Sequence, residues 1–179
     1  MTVFRKLVDD ASGSEIAETA AVLPVLFMIL VGIFWFGLAY NIYGTITHAA
    51  REGARVAVAQ TCATCGNSTA TPNTVATAVK QALQASHLDP TQVTSSAPSF
   101  CPCGNPTCGS AQACAAVAGS LPQICVQQDV QLNTPSSGQP NVCGSVVSFQ
   151  YPYQFYFPFT SLNGQQIHLS TQVQMTGEN

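Results

Sequence analysis

The feature that most constrains this chain is an uninterrupted apolar run near its N-terminus. Residues 19–40 read TAAVLPVLFMILVGIFWFGLAY, and no charged side chain occurs between Glu18 and Arg51. As an α-helix this run would extend roughly 33 Å at about 1.5 Å per residue. The hydrocarbon core of a bilayer is about 30 Å thick. We therefore predict a single membrane span at residues 19–40.

Two alternatives to a retained span are a buried core helix and a cleaved secretory signal. The rest of the chain is too small and too polar to surround such a helix on every side. The apolar part of a secretory signal is about 7–15 residues long and ends at small residues. The run here is longer and ends in Leu38, Ala39 and Tyr40. Both alternatives are disfavoured.

The flanking charges and the cysteines indicate the orientation of the span. Arg5 and Lys6 precede it, and positive residues favour the cytoplasmic side, although Arg51 and Arg55 on the other side weaken that argument. Thiols concentrated in a small exported domain are normally disulfides. We therefore predict a cytoplasmic N-terminus and a periplasmic or extracellular C-terminal domain. All eight cysteines follow the span and are candidates for disulfide bonds: Cys62, Cys65, Cys101, Cys103, Cys108, Cys114, Cys125 and Cys143.

The N-terminal half of the chain divides into a leader and two helices. Residues 1–13 form a cytoplasmic leader, and residues 14–60 form one long helix whose first half is the span. A second helix is predicted over about 73–88, with Asn73 or Thr74 as its N-cap. Each helix has one apolar face outside the span. The first helix has its stripe at Ile42, Ile46, Ala50, Gly53 and Ala57, and the second at Val75, Val79 and Leu83.

The exported domain, residues 61–179, is completed by strands. Period-two alternation predicts strands at 124–132, 142–157 and 167–175, with Asn163-Gly164 as a hairpin turn. Pro152 has no N–H to donate, so its strand is expected to lie at an edge or to bend there. Residues 98–123 are an irregular Cys-rich insertion in which AQACAAVAG suggests a short helical turn. The predicted fold class is α+β: a long N-terminal transmembrane helix on a small antiparallel sheet, with a second helix and a Cys-rich loop.

The cysteines admit three interpretations. Structural disulfides suit an oxidising compartment best. A zinc site made by Cys62, Cys65, Cys101 and Cys103 has enough ligands. A redox dithiol at Cys62 and Cys65 lacks the surrounding βαβ pattern. No pairing follows from the sequence alone.

The sequence offers no constellation typical of an enzyme. His48, His87 and His168 are far apart and lack acidic neighbours, and the carboxylates beyond the span are sparse. There is no phosphate-binding Gly-rich loop and no nucleophile elbow. The basic residues form no patch of the kind that nucleic acid requires. We expect no catalytic residue, no metal, no cofactor and no nucleic-acid partner.

The segment from Gly13 to Ala57 carries motifs that point to a family. They are Gly13-Ser14, Glu18, Val22-Leu23-Pro24, Gly32-Ile33, Phe36-Gly37 and the run from Ala49 to Arg55, in this order. Together they resemble the TadE-like pseudopilins of bacterial tight-adherence pili. The resemblance implies a pilin-like fold and a non-enzymatic role in pilus assembly, as a minor pilin or pseudopilin in the inner membrane.

The resemblance also implies specific roles for residues near the span. A prepilin peptidase would cut between Gly13 and Ser14, which makes Glu18 the fifth residue of the mature chain. Its carboxylate at the edge of the bilayer is costly without a partner, and the N-terminal ammonium of an adjacent pilin subunit would supply one. The remaining alternative is a single-span, disulfide-rich binding or adhesion module that uses the 98–123 insertion.

Overall fold

The structure, a computed structural model, describes residues 14–59, 68–104, 110–133, 140–154 and 166–177. It has two α-helices, a short 3₁₀ helix at Pro90–Gln92 and a four-stranded antiparallel sheet, which confirms the α+β class. The helices are α1 (Ser14–Val58) and α2 (Pro72–Ala85). The strands are β1 (Thr94–Ser95), β2 (Cys125–Gln131), β3 (Cys143–Gln154) and β4 (Gln166–Thr176).

Helix α1 is one continuous helix of 45 residues, with Pro24 inside it. Its C-terminal half packs on α2 and the sheet through the predicted stripe. Small side chains dominate this face because the neighbouring elements approach closely: a Cβ on Gly53 would lie 2.6 Å from Cγ2 of Val79. The stripe is confirmed, with Ala49 and Ala54 added to it: Ile46, Ala49, Ala50, Gly53, Ala54 and Ala57 are buried and Ile42 is half-buried.

Helix α2 begins with a different cap from the one that the sequence predicted. The N-cap is Thr71, whose Oγ1 accepts a hydrogen bond from the N–H of Thr74 at 3.3 Å, and Pro72 occupies the first turn. Proline suits that position because its missing N–H would have had no helical partner. The prediction of Asn73 or Thr74 as the cap was wrong. Asn73 instead accepts from the N–H of Ala118 and so ties the Cys-rich insertion to α2.

The C-terminus of α2 lies at Ala85, earlier than predicted, and closes with a Schellman motif. The N–H of Leu88 donates to the carbonyl of Leu83, and the N–H of His87 donates to that of Gln84. His87 adopts a φ of 59°, the left-handed conformation that such a cap requires. The predicted apolar face of α2 is confirmed, because Val75, Val79 and Leu83 are fully buried.

Strand β3 is the centre of the sheet. It pairs with β4 from Gly144 to Gln154 on one edge. Its other edge pairs first with β2 and then with β1, which ends opposite Gln150. Among the described strands, β3 therefore has β4 alone as its neighbour at Pro152, which agrees with an edge position for that proline. The Asn163-Gly164 turn lies outside the described residues.

Strand β2 and most of β3 are covered on both faces of the sheet. Val126, Val147, Phe149 and Tyr151 belong to the core shared with α1 and α2. On the opposite face Gln127, Val146 and Ser148 are also almost fully buried. There the amide of Gln127 donates to the carbonyls of Pro98 and Gln112, and the hydroxyl of Ser148 donates to that of Ser96. The Cys-rich insertion and the residues just before it thus form a second layer.

The insertion follows the backbone of β2 in extended form. The N–H of Cys103 donates to the carbonyl of Asp129 at 2.8 Å, and that of Gln131 donates to Cys101 at 2.8 Å. The N–H of Ala115 donates to the carbonyl of Val126. The predicted helical turn in residues 111–119 was wrong, since no helix forms in this described stretch. Its backbone instead satisfies groups that the sheet leaves open.

Candidate functional site: the exposed half of helix α1

The N-terminal half of α1 is apolar and uncovered. Within the described residues, α1 is the one helix long and apolar enough to cross a membrane. Its most apolar 18-residue stretch has a mean hydropathy of 2.5, and none of that stretch is buried inside the protein. Met28 is 77% exposed and Phe34 66%. Contiguous apolar surface of this extent marks an interaction with a membrane or with other proteins. The segment fits the predicted span at residues 19–40.

The residues expected to be processed lie at the start of this half. Ser14 is the first residue of α1, and Gly13 lies outside the described residues. Glu18 is exposed one turn further along the helix, next to the apolar segment. The proposed roles of Gly13, Ser14 and Glu18 remain predictions.

The charged motif in the C-terminal half of α1 separates cleanly into two faces. Arg51 and Arg55 are exposed, whereas the intervening Gly53 and Ala54 are buried against the rest of the domain. Glu52 and Arg55 form an ion pair, with 3.6 Å between carboxylate and guanidinium. Both partners are largely in solvent, where such a pair contributes little stability. The small residues of the motif are therefore explained by packing, and its charges by solvation.

The described cysteines are oxidised, and none is free. Cys103 is bonded to Cys143, which joins the insertion to the start of β3, and Cys114 is bonded to Cys125 at the start of β2. Cys101 is disulfide-bonded as well. The zinc set that includes Cys101 and Cys103 is therefore contradicted, because a disulfide sulfur is not a thiolate ligand. Three predicted disulfide candidates, Cys62, Cys65 and Cys108, lie outside the described residues.

The structure brings one potential metal-binding group together among the described residues. It consists of Cys103, Cys143 and Asp129. The two sulfurs are bonded to each other, so the group offers a single carboxylate. His48 lies on α1, His87 at the end of α2 and His168 on β4, all exposed. The described residues thus place no histidine in a potential metal cluster.

Two ionisable groups near the 3₁₀ helix are perturbed by their structural roles. Hydrogen bonds from Thr91 to the carboxylate of Asp89 lower the pKa of Asp89. Burial raises the pKa of Tyr151, whose hydroxyl oxygen accepts a hydrogen bond from the N–H of Asp89 at 3.3 Å. Both groups hold the connection between α2 and β1 against β3.

One contact of the site has no signal in the sequence. The hydroxyl of Tyr153 donates a hydrogen bond to the carbonyl of Trp35 at 3.1 Å, across 118 residues of chain. Gln128 similarly donates to the carbonyls of Ala57 and Ala70, near the end of α1 and before α2. Tyr153 lies in the strand predicted at 142–157, but the alternation that predicts this strand does not indicate the polar contact, because only the packing of β3 on α1 brings the groups together.

Taken together, the fold and this helix define a class of architecture, a single apolar helix that continues as the spine of a small α+β domain. Residues 13–55 match the family model described as TadE-like protein. The match confirms the resemblance to the TadE-like family over that segment. No curated protein and no solved structure matches the chain.

Proposed function

We propose that this protein is a minor pilin or pseudopilin that takes part in assembling tight-adherence, type IV-like pili, without catalysis of its own. The observation that carries the proposal is the continuity of α1 from Ser14 to Val58. A single rod links the bare apolar half to the folded domain, so a force on one end moves the other. That coupling suits a subunit extracted from a membrane into a fibre, or one that primes such a fibre.

The anchor would lie in the bacterial inner membrane with residues 1–13 in the cytoplasm. Arg5 and Lys6 on that side support this orientation. The disulfides of the domain support an oxidising compartment on the other side. The partners would be the prepilin peptidase and other pilins or pseudopilins of the machine.

Processing after Gly13 is tested by mass spectrometry of the mature N-terminus in membranes from cells with and without the prepilin peptidase. We expect Ser14 as the first residue only when the peptidase is present. A Gly13→Val variant should keep its leader in both strains, because the side chain obstructs cleavage. An identical N-terminus in the two strains would remove the processing claim and leave the anchor intact.

The role of Glu18 is tested with a charge-neutral variant and a matched control. Glu18→Gln keeps the size of the side chain but removes the charge that would pair with the ammonium of a neighbouring subunit. We expect Glu18→Gln to reach the membrane in normal amounts and to be lost from sheared filaments, as measured by quantitative proteomics. Glu15→Gln, three residues earlier, is the control. Equal loss of both variants would show that Glu18 has no special role.

The alternative function, a binding or adhesion module, finds less support in the insertion itself. Most exposed side chains in its described part are alanine, glycine or serine, as at Ala111, Ala113 and Ser120. Binding hot spots are instead enriched in Trp, Tyr and Arg. Detection of the protein in purified filaments, with normal surface adhesion of filaments that lack it, would separate an assembly role from an adhesive one.

A further inference from the structure

The position of the domain along α1 has a consequence for its contact with lipid. Tyr153 near the end of β3 donates to the carbonyl of Trp35, and Trp35 lies inside the 19–40 run. At about 1.5 Å per residue, Trp35 precedes the end of the run at Tyr40 by roughly 8 Å along the helix. The domain therefore reaches back beside the apolar segment and does not begin where that segment ends.

Near the end of the sheet at this level, one pair before Gln154 and Gln166, Tyr153 lies opposite its cross-strand partner Ile167. We call these two residues the tip. Ile167 is 46% exposed, although a β-branched apolar side chain is normally covered in a sheet. On the helix beside them, Leu38 and Tyr40 are also exposed. An apolar strand end therefore continues the apolar surface of the span.

The strands next to the tip lack charged side chains, as contact with lipid would require. Residues 142–177, which include β3 and β4, contain no Asp, Glu, Lys or Arg. On the domain side of the apolar run, the exposed charges of α1 lie further along the helix, at Arg51 and Arg55. The backbone N–H of the acidic Asp89 donates to the hydroxyl of Tyr151, which lies two residues before Tyr153 on β3.

We propose that the tip sits in the headgroup region of the bilayer from which α1 emerges, so that the domain rests on the lipid surface. The partner is the interface of the lipid bilayer itself, recognised by exposed apolar side chains and not by charge. The offset of roughly 8 Å between Trp35 and the end of the span matches the depth of about 5–10 Å at which amphipathic surfaces enter this region. Ile167 is the exposed apolar side chain of the tip, and Tyr153, only 5% exposed, holds the tip against α1 through its hydrogen bond to the carbonyl of Trp35.

This inference rests on the membrane anchor of the proposed function, and its test separates the two. Trp35 is the only tryptophan of the chain, so the full protein in liposomes reports the depth of the span. Trp35→Phe then gives a silent background that keeps the carbonyl accepting from Tyr153. Ile167→Trp is introduced there as the tip probe. Val142→Trp is the control, because Val142 is 36% exposed and precedes the opposite end of β3.

The measurement is fluorescence quenching by phosphatidylcholine brominated near the headgroup end of its acyl chains, after flotation of the liposomes. We expect at least about threefold stronger quenching of Ile167→Trp than of Val142→Trp, because the quencher reaches only groups at interfacial depth. His168→Trp, the adjacent residue on the other face of β4, provides a second probe at the same level if Ile167→Trp fails to fold.

The outcomes are distinct. Strong quenching at the tip with little at Val142→Trp supports the proposal. Flotation and quenching of Trp35 in the unmodified chain, with tip probes quenched no more than Val142→Trp, would overturn the lipid contact while the anchor stands. A chain that does not float, or whose Trp35 is not quenched, would overturn both the anchor and the contact.

Discussion

Single residues in this protein are constrained mainly by backbone conformation and by close packing. His87 holds a left-handed conformation at the end of α2 without being glycine. Gly53 stands where α1 meets Val79 and Val147. Substitutions at these two positions should change stability in opposite directions. Glycine at position 87 would relieve backbone strain, whereas an added side-chain atom at position 53 would collide with its neighbours. Each gives a prediction with a matched control in the same helix.

Replacement of His87 by glycine is expected to stabilise the protein. Left-handed backbone costs a residue with a Cβ about 1 kcal/mol that glycine avoids, so the free energy of unfolding should rise by roughly that amount. Urea unfolding of the full chain in detergent micelles measures it. Ser86→Gly is the control: Ser86 has a φ of −100°, so glycine there relieves no strain, adds unfolded-state entropy and removes the hydrogen bond from the Ser86 hydroxyl to the carbonyl of Ala82, and it should destabilise. A gain in both variants, or in neither, would contradict the role of the cap.

Replacement of Gly53 by alanine is expected to destabilise the protein by about 1–3 kcal/mol, because an overpacked core must shift its neighbours. The nearest of them is Cγ2 of Val79. Gly44→Ala is the control on the same helix, since a Cβ there meets nothing within 4 Å. Alanine at Gly44 should stabilise by up to about 1 kcal/mol through helix propensity. Equal changes in the two unfolding midpoints would show that packing at Gly53 is loose.

Among the secondary-structure elements, the Cys-rich insertion acts as a further strand-like cover of β2. Pro102 forms a bridge with Val130, and neighbouring backbone groups on both sides are hydrogen-bonded. An open sheet edge invites pairing with another chain. Covering β2 in this way leaves β4 as the longer exposed edge among the described strands. The disulfides fasten this cover at both β2 and β3.

Removal of the two assigned disulfides should have unequal effects. The Cys103–Cys143 bridge spans 40 residues and the Cys114–Cys125 bridge spans 11. Loop entropy predicts losses of about 4 and about 3 kcal/mol for the paired alanine variants. Urea unfolding measures these losses. In the variant that lacks the Cys103–Cys143 bridge, hydrogen exchange should accelerate at the backbone amides of residue 103 and Gln131. The amides that pair β3 with β4 should stay protected. Unchanged exchange at Gln131 would show that the bridge does not hold the insertion on β2.

At the scale of the whole molecule, one rod carries two surfaces with different surroundings. The first half of α1 is apolar all round, and the second half is apolar only on the face that meets the domain. The change of pattern occurs along a single unbroken helix. The apolar half of α1 and the domain therefore stand at a fixed distance along the helix axis. For this reason the depth of the tip can be measured relative to the proposed span.

The orientation of the whole molecule can be tested by proteolysis of spheroplasts. We expect external proteinase K to digest the C-terminal domain and leave a protected fragment that contains residues 19–40, since disulfides form on the oxidising side. Reduction of the disulfides before digestion should speed the loss of the domain without changing the protected fragment. A chain that resists digestion until the membrane is lysed would place the domain in the cytoplasm.

Sequence alone determined the span, the stripes on α1 and α2, and the three long strands. These follow from local periodicity, because residues a fixed number apart share one face whatever the remainder of the chain does. The cap of α2 was misassigned among neighbouring polar residues, since Thr71, Asn73 and Thr74 all have suitable side chains. The side chain of Asn73 does not cap the helix because it accepts a hydrogen bond from the N–H of Ala118, a contact that the sequence does not indicate.

Tertiary structure alone decided which cysteines pair, how the insertion lies and where the domain sits along α1. The Cys103–Cys143 bridge and the Tyr153–Trp35 hydrogen bond join positions distant in sequence, and eight cysteines allow 105 pairings. Such contacts depend on the joint packing of helix, sheet and insertion, in which small residues on α1 let β3 approach. Periodicity specifies which face of each element is buried, whereas the partner and level of that face are set by the shape of the assembled core.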